Sequence, residues 1–165
     1  MTKITPCLWF DSEAEDAARF YTGVFRNSRI TAISRYGEAG REVHGQPAGK
    51  VLTVAFELDG QPYTALNGGP QFKFNEAVSF QVPCKSQEEV DYYWDKLSAG
   101  GDPRAQQCGW LKDRFGLSWQ VFPSVLIDML QDQDRAKADR VMEAMLRMKK
   151  IDLEALERAY LLQTA

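Results

Sequence analysis

Histidine is almost missing from this sequence: His44 stands alone among 165 residues, and cysteine is limited to Cys7, Cys84 and Cys108. A site assembled from several imidazoles is excluded by that count, and the cysteine spacing matches no zinc motif. An odd set of widely separated thiols is the usage of a chain kept reduced, so a cytoplasmic location is expected. No apolar run approaches the roughly 20 residues of a membrane helix. The opening Met1-Thr2-Lys3-Ile4-Thr5-Pro6-Cys7 lacks the apolar core of a secretory leader. A net charge of −3 offers no basic surface, so neither a membrane nor a nucleic acid is expected as partner. No two glycines are separated by a single residue. The phosphate-binding turn of a dinucleotide or methyl-donor site is therefore missing, and so is the G-x-S-x-G signature of a serine hydrolase.

What is present is a globular composition, 44% hydrophobic and 26% charged, sufficient for a real core. Residues 4–10 read as a buried strand. Ser12-Glu13-Ala14-Glu15 then matches a capping box with Ser12 at the N-cap. The helix it opens carries Ala14, Ala17, Ala18, Tyr21, Val24 and Phe25 on one stripe. A second strand over residues 29–36 leads into a loop containing Gly37, Gly40, Gly45 and Gly49. Strands over 51–58 and 61–66 are joined by Asp59-Gly60, a tight-hairpin signal.

The second half repeats this order. A shift of 72 lays Leu8-Trp9-Phe10 on Phe80-Gln81-Val82, with Tyr21 on Tyr93 and Phe25 on Leu97. A shift of 56 lays Tyr63-Thr64-Ala65-Leu66 on Trp119-Gln120-Val121-Phe122. Residues 77–82 read as a strand, and Ser86-Gln87-Glu88-Glu89 as a second capping box. The helix after it buries Val90, Tyr93, Trp94 and Leu97 and ends at Gly100-Gly101. Strands over 108–112 and 117–122 follow. Internal repetition of this kind implies tandem β-α-β-β-β halves, 1–70 and 74–123, within one α+β domain over 1–125. Residues 126–165 form a helical extension outside the repeat. Helices are expected over 125–130 and 135–149, the second with Val141, Met145 and Met148 on one face. A third is capped by Asp152 and carries Leu153, Leu156 and Tyr160. This tail would pack on the sheet's outer surface or clasp a second subunit.

Several stretches carry a family resemblance. They are Leu66-Asn67-Gly68-Gly69-Pro70, Val78-Ser79-Phe80-Gln81-Val82 and Glu89-Val90-Asp91-Tyr92-Tyr93-Trp94. The most specific is Cys108-Gly109-Trp110-Leu111-Lys112-Asp113-Arg114-Phe115-Gly116-Leu117-Ser118-Trp119-Gln120-Val121-Phe122-Pro123. With these the chain resembles the PhnB-like proteins, often labelled demethylubiquinone methyltransferases, of the glyoxalase or vicinal oxygen chelate superfamily. Its tail, Val141-Met142-Glu143-Ala144-Met145 through Lys150-Ile151-Asp152, is similar to tails in that group. The resemblance implies tandem curled sheets enclosing a cavity whose floor, in catalytic members, holds a divalent metal on four His or Glu ligands. The repeat maps those positions to Thr5, Thr64, Ala77 and Gln120. Hydroxyl, methyl and amide groups do not replace imidazole and carboxylate, so no metal and no other cofactor is expected.

The remaining chemistry is sparse. Glu76, Cys108 and Asp113 are the candidate catalytic groups, and His44 reads as a solvated loop residue or a proton shuttle. Trp9, Thr64, Asn67, Trp110, Trp119 and Gln120 are the candidate cavity residues, of which adjacent Trp119 and Gln120 cannot both point inward. The expected function is metal-free binding of a small organic ligand by a homodimer. One alternative is a divergent lyase, dioxygenase or transferase, the methyltransferase label included. The other is an interaction module acting through the C-terminal helices.

Overall fold

The computed structural model describes residues 4–162. It divides into two compact units, 1–74 and 75–165, each with its own sheet. The first unit runs β1 (Cys7–Phe10), α1 (Ala14–Val24), β2 (Arg29–Arg35), a single helical turn α2 (Arg41–His44), β3 (Val51–Leu58) and β4 (Gln61–Asn67). Its strands lie in the order β1-β4-β3-β2, with β1 parallel to β4 and the others antiparallel. Asp59 and Gly60 both adopt positive φ between β3 and β4, the backbone that a two-residue hairpin demands.

Alternation divides the sheet into two faces. Leu8, Phe10, Val54, Phe56, Leu58, Ala65 and Asn67 are buried. Against them α1 sets Ala14, Ala17, Ala18, Tyr21 and Val24, with Tyr21 stacked on Phe56 at 6.2 Å between ring centroids. The expected helical stripe forms.

The expected cap does not. Glu13, not Ser12, holds the N-cap position, and no side chain of the local segment caps the helix; the Glu13 carboxylate accepts the Ser12 N–H instead. The first helical N–H, from Ala14, is donated 2.8 Å to Asn67 Oδ1 at the end of β4. The Asn67 amide nitrogen in turn donates to the Val51 carbonyl at 3.0 Å. A tertiary contact thus replaces a local one. Asn67→Ala leaves a buried N–H and a carbonyl unmatched. It is expected to lower stability by about 2–3 kcal/mol in urea denaturation, more than loss of an ordinary cap.

The second unit departs from the expected β-α-β-β-β. It holds β5 (Ser79–Cys84), α3 (Gln87–Ser98), β6 (Trp110–Lys112) and β7 (Ser118–Pro123), in the order β5-β7-β6. The counterpart of β2 is a short 3-10 turn, Pro103–Ala105, capped by Asp102. Pro103 cannot donate to a ladder, and Gly101 packs so closely on the Lys112 carbonyl that an added Cβ would lie 2.0 Å from its oxygen. No room is left for a strand beside β6. Here the expected cap does form, with Ser86 Oγ accepting from the Glu89 N–H. Val90, Trp94 and Leu97 of α3 are buried with Val82, Cys84, Leu111, Trp119 and Val121.

Burial and pairing also correct the repeat. Leu8 pairs with Ala65, and Val82 with Val121. Buried Ala17, Tyr21 and Val24 correspond to buried Val90, Trp94 and Leu97. The first strands are therefore related by 74 residues and the helices by 73, rather than by 72, while the 56-residue relation of the last strands holds. The first strand of each half also starts later than expected, at Cys7 and Ser79.

After β7 come α4 (Val125–Leu130), α5 (Arg135–Leu146), shorter than expected, and α6 (Leu153–Leu161). Asp134 and Asp152 cap the last two. Phe122, Leu126, Met129, Val141, Ile151 and Leu156 form one buried cluster, with Met145, Met148 and Tyr160 packed against it. Cys108 and Gly109 donate their N–H groups to the Met148 and Lys149 carbonyls at 2.9 and 2.8 Å. Gln87, at the start of α3, grips the segment further on. Its amide donates to the Ile151 carbonyl and its oxygen accepts from the Leu153 N–H. The extension is thus built into the second unit from both sides. No helix of the described residues is long and apolar enough to cross a membrane.

Candidate functional site

Each sheet has a second face that its own helix leaves uncovered. In the first unit this face carries Cys7, Trp9, Thr53, Ala55, Thr64 and Leu66, none of them buried. Lateral pairing sets Cys7 beside Thr64 and Trp9 beside Leu66. In the second unit it carries Ser79, Gln81, Trp110, Lys112 and Gln120, with Gln120 between Gln81 and Trp110. The Gln120 amide donates to Ser79 Oγ at 2.8 Å. Ser118, on the same face, is buried, and its hydroxyl has no hydrogen-bond partner. Lys112 is paired with Glu76, whose carboxyl it holds below the usual carboxylate range.

The structure separates the neighbours Trp119 and Gln120. Trp119 lies on the α3-covered face, 3% exposed and 5.6 Å from Phe80 between ring centroids. Gln120 has the uncovered face. Asp113, 2% exposed, is fully engaged in the β6–β7 turn. Its Oδ1 accepts the Phe115 and Leu117 N–H groups at 2.8 and 3.1 Å, and its Oδ2 accepts Trp119 Nε1–H at 2.9 Å. Asn67 is committed to the α1 cap described above. Cys108 has φ of +52° and receives a hydrogen bond from the Gln107 amide at 3.3 Å. Cys84 is buried, and that burial, reinforced by the Glu89 carboxylate, pushes its thiol up to about 12. Such a thiol is not a nucleophile at neutral pH.

His44 is held by its own loop. Its ring lies 4.6 Å from that of Tyr36, Nδ1 accepts the Gln46 N–H at 3.0 Å, and Nε2 is 3.1 Å from the Ala39 carbonyl. Only a neutral ring protonated at Nε2 makes both contacts. Tyr36 in turn donates its hydroxyl to the Asn67 carbonyl.

The positions mapped from the repeat for a metal need revision. Thr5 and Ala77 are exposed and precede the strands. The residues that lie beside Thr64 and Gln120 are Cys7 and Gln81. The pair in the first unit offers one thiol, whose pKa desolvation raises, and one hydroxyl; the pair in the second unit offers two amides. Neither pair has the carboxylate and imidazole groups that offset desolvation of a divalent ion, so the four-ligand metal that the resemblance implied does not fit these donors. Among the described residues, no three His, Cys, Asp or Glu side chains lie close enough to share an ion.

Gln81 is among the polar groups expected to supply hydrogen bonds, but no single-residue signal in the sequence marks Ser79, because a lone hydroxyl has no spacing motif. The pairing register supplies it. Of the expected cavity residues, Trp9 and Thr64 share one uncovered face, and Trp110 and Gln120 share the other.

Comparison with known proteins agrees with this architecture. A family model described as 3-demethylubiquinone-9 3-methyltransferase matches residues 2–122, which ends before the helical extension. A PhnB protein from Bacillus cereus, described with the same methyltransferase name, is 36% identical over 72% of this chain and 97% of its own, with a TM-score of 0.60. A Pseudomonas aeruginosa protein, 19% identical, covers 72% of this chain and 95% of its own at a TM-score of 0.55. The fosfomycin resistance protein FosX of Listeria monocytogenes, 16% identical, covers 79% and 98% at 0.50. These last two share the fold. No curated protein matches the chain. Family model and solved structure converge, and this chain is a member of the PhnB-like, 3-demethylubiquinone-9 3-methyltransferase family.

Proposed function

We propose that the protein binds a small, uncharged organic molecule on the uncovered faces of its sheets, without a metal, as a cytoplasmic homodimer. The observation that carries this reading is the donor set fixed by strand pairing: Cys7 with Thr64 and Gln81 with Gln120. These groups make and accept hydrogen bonds but do not compensate an ion. Indole rings beside a few convergent polar groups are the usual furniture of a small-molecule site. The Gln120–Ser79 bond fixes one such group in place. The one cation on the second face, Lys112, is neutralised by Glu76, which argues against an anionic ligand. The family's name denotes a methyltransferase for 3-demethylubiquinone, a substrate class compatible with a neutral site. A methyl donor would need binding elements other than the nucleotide turn that this sequence lacks.

The test is metal analysis by plasma mass spectrometry after dialysis against nickel, zinc, manganese and iron(II) in turn, followed by a thermal-shift screen of neutral organic compounds. Less than about a tenth of an equivalent of each ion should remain, because the donor set lacks the usual ligand types. A saturating ligand at 100 times its Kd should stabilise the fold by about 2.7 kcal/mol. One retained equivalent of any ion refutes the reading. Sedimentation as a monomer at micromolar concentration refutes the dimer.

A further inference from the structure

Trp9 is held more firmly than a tryptophan on an uncovered sheet face needs to be. Its indole N–H is donated to the Gly69 carbonyl at 2.9 Å. Its benzo ring rests on Gly68 so closely that a Cβ there would lie 2.2–2.4 Å from three ring carbons. The ring is therefore clamped by two consecutive glycines, and its polar atom is already satisfied. What it still offers is apolar surface. Phe72, three residues past that clamp, meets it edge on, with centroids 5.0 Å apart and planes at 78°, while remaining 66% exposed. Two nearly perpendicular rings, one rigid and one accessible, form an open-sided corner.

We propose that this Trp9–Phe72 corner is the subsite that takes the planar aromatic part of the ligand, stacking on one ring and meeting the other edge on. Such geometry rewards flat π systems over saturated rings of similar size. The groups next to it on the same face are uncharged, Leu66 beside Trp9 and Thr64 beside Cys7. The face's carboxylate at Glu57 is paired with Arg29 at 3.2 Å. The ligand class is accordingly a neutral planar aromatic molecule bearing a hydrogen-bonding substituent. This inference rests on the ligand-binding reading above and adds to it where the ring goes.

The full-length chain, labelled with 5-fluorotryptophan, carries four fluorine reporters, one for each tryptophan, and the Trp9 signal is the one lost in Trp9→Phe. Titration with 2-naphthol should move that signal saturably, and cyclohexanol should not. Phe72→Ala should weaken 2-naphthol binding by about fivefold, the value of one aromatic contact, without unfolding so exposed a position. An unchanged affinity in Phe72→Ala, or an equal response to cyclohexanol, overturns the proposal. Movement of the Trp110 signal with Trp9 silent also overturns it but leaves the ligand-binding reading standing. Silence of all four signals counts against both.

Discussion

Asp113→Ala is expected to lower the stability of the protein by about 3–5 kcal/mol, the largest loss from any single polar side chain in the second unit. Its carboxylate is 2% exposed and gathers three N–H donors: Phe115 and Leu117 across the turn, and the Trp119 indole from the strand beyond. Alanine leaves all three without that acceptor. Asp113→Asn separates geometry from charge. One amide oxygen still serves the two backbone donors, but the amide nitrogen then faces the Trp119 N–H, donor against donor. An intermediate loss of about 1–3 kcal/mol is expected. Urea midpoints with an unchanged slope, read by tryptophan fluorescence, decide it. Wild-type stability in Asp113→Ala would show that the turn is held by something else and would return Asp113 to the list of catalytic candidates.

Ile151→Ala is expected to cost about 3 kcal/mol, and Ile151→Val about 1, the usual consequences of emptying a fully buried site. Ile151 is 0% exposed in the cluster that joins Phe122 of β7 to α5 and α6. Its side chain packs on Gly109, where a Cβ would lie 3.2 Å from Ile151 Cγ1 and 2.8 Å from the Val121 carbonyl. Gly109 also has φ of +83°, a backbone glycine alone adopts without strain. The cost of Ile151→Ala should therefore appear at a distance in sequence. Hydrogen exchange of the Cys108 and Gly109 amides, which bond to Met148 and Lys149, should accelerate with the loss of stability. A loss below about 1 kcal/mol would mean that the extension is only loosely attached.

Much of this architecture is legible in the residues. The α1 and α3 stripes, the Asp59-Gly60 hairpin, the Ser86 cap and the Asp152 cap follow from local rules that the folded chain obeys. The Ser12 box failed because capping boxes are local, while Asn67 reaches α1 from another strand. The missing strand in the second unit was hidden by the repeat itself. Similar sequence on either side of residues 99–107 implied a similar middle, but Pro103 and the packing of Gly101 on Lys112 forbid it. The site suffered most from register. The first strands begin at Cys7 and Ser79, later than expected, and are related by 74 residues rather than 72. The mapped positions Thr5 and Ala77 therefore lie off the sheet, and pairing sets Cys7 and Gln81 beside Thr64 and Gln120 instead. Motif spacing also drew attention to Asp113 without saying whether its carboxylate faces a ligand or a turn.

The bonds from Cys108 and Gly109 to Met148 and Lys149 set a timetable for synthesis. The first unit is complete in sequence at residue 74. The second cannot finish its β6 end until about forty further residues have been made, roughly 2–8 seconds at 5–20 residues per second. During that interval Phe122 lacks Val141, Ile151 and Leu156 of its cluster, and a ribosome stalled late in the message would leave the second unit waiting for its last helix.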